Sequence, residues 1–168
     1  MDDMSRVRAL LITADRQLVT IKRVRPGRAP YWVLPGGHVE PDDRNLEAAL
    51  HREIHEELAG RADIHSLLQV ARLRGENQYI YLARIHHWNF AERSGPEFTR
   101  TDRGEYIPDL IPLTLSALSG IDLLPPETAE LLRRTLTGGT DLFELPDIRT
   151  NPLVAHVPEG TRELDARR

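Results

Sequence analysis

Residues 34–60 read LPGGHVEPDDRNLEAALHREIHEELAG. Two glycines open the stretch, and its second half carries Glu47, Glu53, Glu56 and Glu57. Set the run on a helix at about 100° per residue, with Glu53 at the origin. Glu57 then falls near about +40° and Glu56 near about −60°, so three carboxylates share an arc of about 100° within one turn. Leu50, Ile54 and Leu58 lie beside that arc, between roughly 60° and 140°. The acidic arc therefore borders the apolar stripe, whereas a solvated face sits opposite the core. Ala49 lies on the same arc one turn earlier and adds little bulk there. Like charges at this spacing destabilise a helix, so the cluster makes most sense beside a cation. All-oxygen donors suit a hard ion such as Mg²⁺. On spacing alone, a solvated glutamate-rich face is the commoner outcome. Arg52, near about −100°, reads as a salt-bridge partner of Glu56. Asp42, Asp43 and Asn45 are all competent N-caps, and Gly60 suits the left-handed position just past the helix. The glycine pair lets backbone approach a ligand closely, although a lone Gly-Gly is more often a plain turn.

Outward from this stretch the chain reads mostly as strands. Residues 7–13 (VRALLIT) form a buried strand, ADRQ turns the chain, and residues 18–23 (LVTIKR) return as a hairpin. VRPGRAP reads as a loop carrying Arg25 and Arg28, and residues 31–34 (YWVL) as a short strand entering the glycine pair. Beyond the helix, residues 66–73 and 79–88 read as two strands around the turn RGENQ. Residues 89–104 are polar and long for a loop, a feature of functional elements. Residues 105–113 (EYIPDLIPL) are extended, with Pro108 and Pro112 confining them to short or edge pairing. TLSALSG makes one or two helical turns, and Pro126 opens a helix through about residue 136. Strands, one helix, strands and then helices describe a mixed α/β layer structure, without the regular alternation of a doubly wound sheet. A single domain through residue 138 is expected. Residues 139–168 form an irregular extension, packed on it or trailing from it, with RELDARR frayed at the end.

The chain has 168 residues, enough for one domain with a proper core. It has no cysteine, which excludes disulfides, thiolate nucleophiles and cysteine-based zinc sites. A net charge of −4 gives no broad electrostatic case for nucleic acid or membrane surfaces. No apolar run approaches membrane-spanning length, and the N-terminus is not a secretory signal, so the expectation is cytoplasmic.

Taken together, the glycine pair, the acid-rich loop and Arg-Glu-Ile-His-Glu-Glu resemble the signature of the MutT-like Nudix hydrolases. That pattern is Gly, five residues, Glu, seven residues, Arg-Glu, an aliphatic, any residue, Glu-Glu, any residue, Gly. Gly37, Arg52, Glu53, Ile54, Glu56 and Glu57 match it. This chain departs in three places. The loop is one residue longer, the early Glu is replaced by Asp43 or Asp42, and Ala59 precedes a late Gly60. The strand order also fits the Nudix fold, so the resemblance reaches most of residues 5 to 137.

The resemblance implies Mg²⁺-dependent cleavage of the pyrophosphate of a nucleoside diphosphate derivative by water attack at phosphorus, with Mn²⁺ as the alternative ion. It places the metal on Glu53, Glu56, Glu57 and the Gly36 carbonyl, with Glu105 as a further carboxylate and Glu97 or Glu76 as alternatives. Glu57 and Glu53 are the general-base candidates, and Asp43 or Asp42 would orient Arg52. Arg23, Arg25, Gly37 and His38 are the substrate-binding candidates; Arg28 flanks them. Arginines of this kind are often surface residues. His51 and His55 point to solvent, Tyr31 and Trp32 to packing, and Trp88, Phe90 and Phe98 to a small cluster or a base platform. The expected partner is a small nucleotide, with a homodimer as a family-level expectation. A non-catalytic nucleotide sensor is the competing class. A prenyl diphosphate isomerase is disfavoured by the missing cysteine. Substrate choice among nucleoside triphosphates, ADP-ribose and nucleotide sugars would reside in loops such as residues 89–104.

Overall fold

The computed structural model describes residues 5–92 and 104–150. Strand β1 is Ser5–Ile12, β2 Gln17–Arg25, β3 Arg28–Val33 and β4 Gly36–His38. Helix α1 is Leu46–Leu58, followed by β5 Arg61–Leu73, β6 Glu76–His87 and β7 Glu105–Pro112. Helix α2 is Leu115–Ser119, β8 Leu123–Leu124 and α3 Pro126–Thr137. Short 3-10 turns lie at Phe90–Glu92, Leu142–Glu144 and Ile148–Thr150.

The strands form one mixed sheet in the order β5-β6-β1-β2-β3-β8, with β4 on β1 and β7 on β2. How the edges are shared matters for function. Along its whole length β1 runs parallel to β6, from Ser5 opposite Asn77 to Ile12 opposite Arg84. Its other edge is divided between β2, at Leu11 and Ile12, and β4, at Arg6 to Arg8. Strand β2 is likewise taken by β7 from Gln17 to Val24, and its other edge is divided between β1 and β3. The sheet therefore forks. One wing holds β5, β6, β1 and β4; the other holds β7, β2, β3 and β8. The wings meet where Leu11 faces Val19 and separate beyond it.

Both faces of the sheet are covered, because side chains alternate along β1. Val7, Ala9 and Leu11 pack with Ala49, Leu50, Ile54 and Leu58 of α1. Leu10 and Ile12 pack on the other face with Leu118 and Leu132, from α2 and α3. The result is the expected α/β arrangement, a mixed sheet sandwiched by helices. Among the described residues, no helix is long and apolar enough to cross a membrane.

Several local alternatives are resolved, and some expectations are corrected. The N-cap of α1 is Asn45, whose side chain accepts from the Ala48 N–H at 2.8 Å; Asp43 is engaged elsewhere. The left-handed residue after α1 is Ala59, at φ 46° and ψ 41°, and not Gly60. Gly60 is required for space instead: a Cβ there would lie 3.1 Å from the His87 carbonyl oxygen and 3.2 Å from Ile85 Cδ1. VRPGRAP is a tight hairpin with Arg25 opposite Arg28, so β3 begins earlier than expected. Strand β7 pairs with β2 over eight residues despite two prolines. It tolerates them because, among the described residues, it has β2 as its only neighbour, and an edge strand needs fewer ladder donors. Part of the C-terminal extension is packed: Leu142 is buried in the α3-side core, and the Asp147 carboxylate accepts the Leu67 N–H at 3.0 Å. Arg149 bonds Asp147 and Glu47, which ties this segment to the first turn of α1. Glu97, Phe98 and RELDARR lie outside the described residues.

Candidate active site

The glycine pair and the acidic arc of α1 are pressed together. Gly36 has φ 143°, and a Cβ there would sit 2.0 Å from the Val7 carbonyl oxygen, so only glycine lets β4 pair with β1. At Gly37 a Cβ would lie 2.4 Å from Glu53 Oε1. The missing side chain is the space that the Glu53 carboxylate occupies. Glu57 accepts from the Gly36 N–H at 3.3 and 3.4 Å. Glu53 and Glu57 are each only 7% exposed, a degree of burial rare for ionised groups without compensation.

Arg52 supplies part of that compensation. Its Nε donates to Asp43 Oδ1 at 3.0 Å and its Nη2 to Asp43 Oδ2 at 2.9 Å, a two-pronged clamp. Its Nη1 donates to Glu53 at 3.0 Å and to Glu56 at 3.4 Å, and Nη2 also reaches the His38 carbonyl at 3.0 Å. The clamp holds the Asp43 carboxyl below the usual carboxylate range, chiefly through the hydrogen bonds from Arg52. Asp43 is thus the residue that orients Arg52, where the sequence left Asp42 and Asp43 open. The inserted loop residue and the shorter acid leave this clamp intact.

Among the described residues, no three acidic or histidine side chains are gathered into a ready-made metal cage. Arg52 donates to Glu53 and Glu56, and the Gly36 N–H donates to Glu57. The donor set nonetheless fits a hard divalent cation. It is all oxygen, with Glu53 and Glu57 buried and Glu56 part-exposed, and these three glutamates line one cleft with Gly36.

The two wings and α1 enclose a cleft of about 560 Å³. Gly36, Gly37, His38, Glu53, Glu56 and Glu57 line it, as do Arg23 and Arg25. Eight of the expected site residues therefore meet in one cavity. Arg52 lies behind the carboxylates, off the lining. Arg23 is buried with its guanidinium 3.6 Å from the Tyr106 ring, and Arg28 sits over Tyr31 at 4.1 Å. Trp32 donates to Asp109 at 2.8 Å, while Trp88 and Phe90 pack on the α1-side core. His51 and His55 are exposed.

Glu105 is not part of the cavity. It is exposed at the first position of β7, opposite Val24, and its neighbour Tyr106 lines the cleft instead. Successive residues of a strand face opposite ways, so the two cannot both point inward. Besides Glu40 and the glutamates of α1, the carboxylate found there is Glu76 of β6. It accepts from Arg6 Nε at 2.5 Å and pairs with His38 Nε2 at 3.1 Å. Burial would raise its pKa, but the hydrogen bonds from His38 and Arg6 outweigh that and hold it low. Sequence reading also missed Arg6, Arg8 and Gln78, which line the same wall. Their signal was present: Arg6 and Arg8 alternate with Val7 and Ala9 on β1, a polar face on an otherwise apolar strand.

With this geometry in place, the comparisons are concordant. The NUDIX domain model matches residues 3–134. The chain belongs to the Nudix family, whose members are pyrophosphohydrolases acting on nucleoside diphosphate derivatives. No curated protein matches the chain. Among solved structures it is similar to a Nudix hydrolase from Nitrosomonas europaea, with 20% identity and a TM-score of 0.61, over 86% of this chain and 78% of that one. It is similar to an ADP-ribose pyrophosphatase from Streptococcus suis at 16% identity and a TM-score of 0.58, over 87% and 98% of the two chains. The MutT protein from Methanosarcina mazei matches at 18% identity and a TM-score of 0.53, over 82% and 96%. At these identities the structural likenesses speak for the fold.

Proposed function

We propose that this chain hydrolyses the pyrophosphate bond of a nucleoside diphosphate derivative, with Mg²⁺ as the natural ion and Mn²⁺ as an alternative. The observation that carries the reading is the burial of Glu53 and Glu57 against the glycine pair, in a cleft that also holds Arg23 and Arg25. Glu53, Glu56, Glu57 and the Gly36 carbonyl would hold the ion. Bound there, it would neutralise phosphate charge and acidify water. The protein's own groups do the remaining work. The oxygen of a water forms a new bond to phosphorus, the bridging P–O bond breaks, and the water's proton passes to a glutamate, Glu57 or Glu53. Arg23 and Arg25 grip the flanking phosphate oxygens, and His38 and Gly37 border the substrate beside the glycine pair. Arg52, clamped by Asp43, positions Glu53 and Glu56. The substrate class includes nucleoside triphosphates, ADP-ribose and nucleotide sugars.

The test is phosphate release from a panel of these compounds, with a coupling phosphatase, in Mg²⁺ and in chelator. Metal-dependent turnover of one member is the expected result. Binding of a nucleotide without turnover would replace this reading with a sensor module.

A further inference from the structure

Arg8 belongs to no role assigned so far, yet its guanidinium is anchored on one side only. Its Nη1 donates to the Leu34 carbonyl at 3.0 Å and to the Gly36 carbonyl at 3.1 Å. Its Nε donates to Gln78 Oε1 at 3.2 Å, and Gln78 is itself only 1% exposed. Three acceptors therefore fix the plane of the group. Nη2 makes no hydrogen bond to any described residue, and it is not among the atoms sealed from solvent. Because Arg8 lines the cleft, its two remaining N–H donors are available to whatever the cleft binds.

Position makes the group more than a loop clamp. Burial lowers the Arg8 pKa, and the largest opposing influence is the charge of Glu57. A guanidinium stays protonated even so. The Gly36 carbonyl that Arg8 holds is also the one that would hold the ion of the proposed reaction. A phosphoryl group held by that ion would lie in the same cleft as the Arg8 guanidinium. The transferring phosphoryl spreads charge over its equatorial oxygens, and a cation already fixed by protein acceptors acts on that charge without first having to reorient.

We infer that Arg8 is a catalytic residue, its Nη2 donating to a non-bridging oxygen of the phosphoryl group under attack. The inference rests on the pyrophosphohydrolase reading of the same cleft, and it assigns a substrate contact to a residue of β1 that the acidic helix signature does not contain.

Arg8→Lys and Arg8→Ala test it. Lysine keeps the charge but cannot both anchor on the Gly36 carbonyl and present a second planar donor. Each variant is expected to lose roughly 100-fold in kcat/KM, with most of the fall in kcat. Mn²⁺ affinity, read by electron paramagnetic resonance, should change by less than about threefold, because the oxygen ligands remain. Guanidinium added to Arg8→Ala should restore part of the lost rate. Binding of methylenediphosphonate with Mg²⁺, measured by calorimetry, should weaken roughly tenfold, the scale of one hydrogen bond to a charged group. Near-wild-type kcat in either variant overturns the inference and leaves the pyrophosphohydrolase reading standing. So does collapse of melting temperature and Mn²⁺ affinity in step with activity, with no guanidinium rescue, which would make Arg8 a loop support. If the wild type turns over no substrate, the pyrophosphohydrolase reading fails by itself. The diphosphonate titration then decides on Arg8 alone: equal binding by wild type and Arg8→Ala, or none by wild type, overturns it.

Discussion

Replacing Asp43 by Asn tests the clamp that stands in for the family's early glutamate. The substitution keeps the shape of the side chain and removes its charge. Asp43 receives two hydrogen bonds from Arg52, at 3.0 and 2.9 Å, and one from the Glu40 N–H at 2.7 Å. Its side chain is 7% exposed and that of Arg52 is 22% exposed, so solvent screens the pair less than an ordinary surface bridge. A charge-assisted hydrogen bond contributes about 1.5–3 kcal/mol. Asparagine would keep one acceptor, and Arg52 keeps Glu53 and Glu56. The expected loss is therefore about 1–2 kcal/mol at pH 7. The pH dependence has a definite sign. The folded carboxyl is depressed below its ordinary value, so its contribution is complete above the unfolded pKa, about 3.9, and disappears as pH falls through the lower folded value. Urea unfolding of wild type and Asp43→Asn should thus diverge at pH 7 and converge toward pH 3. Asp42, exposed beside it, is the internal control, and Asp42→Asn should lie within about 0.5 kcal/mol of wild type. Equal stability of Asp43→Asn and wild type at pH 7, or a gap that persists undiminished at pH 3, would refute the clamp. A freed Arg52 also competes with metal for Glu53 and Glu56, so the Mg²⁺ concentration needed for half-maximal turnover should rise.

Glu57→Gln should lower turnover by roughly 100-fold or more while keeping the fold, as read by circular dichroism; wild-type turnover would remove Glu57 from the chemistry. Gly37→Ala places a Cβ 2.4 Å from Glu53 Oε1, where Arg52 holds that carboxylate. Denaturant unfolding should show a loss of about 1–3 kcal/mol, accompanied by a drop in turnover. Glu105→Gln should leave kcat and KM unchanged, because Glu105 faces away from the cleft. Glu76→Gln removes the partner of Arg6 and His38 and should raise KM several-fold. The reverse ranking in steady-state kinetics would restore Glu105 to the site.

Much of the site was legible along the chain because its central piece is local. Whether Glu53, Glu56 and Glu57 share a helix face depends on helical pitch alone, and a bordering run of Leu50, Ile54 and Leu58 says which way that face turns. The hairpin of β1 and β2 and the helix opened by Pro126 are local in the same sense. Local details stayed open, or were misread, where neighbouring residues could serve the same turn. Ala59 takes the left-handed turn at a small steric cost, because Gly60 is needed where β5 passes the end of β6. Asn45 caps α1 because Asp43 finds a stronger partner in Arg52.

By itself, then, the sequence determined the acidic helix, the glycine pair that receives it and the mixed α/β layering around them, since each follows from periodicity or backbone sterics over a few residues. Only the tertiary structure decided what faces that helix. The cleft exists because β1 and β2 pair at Leu11 and Val19 and then take different neighbours, a choice made by β4, β6, β3 and β7. That choice brings Arg8, Gln78 and Glu76 beside Gly36 across 70 residues of sequence separation between Arg8 and Gln78. It also turns Glu105 outward through the single-residue alternation of β7. Strand register is a property of the assembled sheet, and no segment of the chain carries it alone.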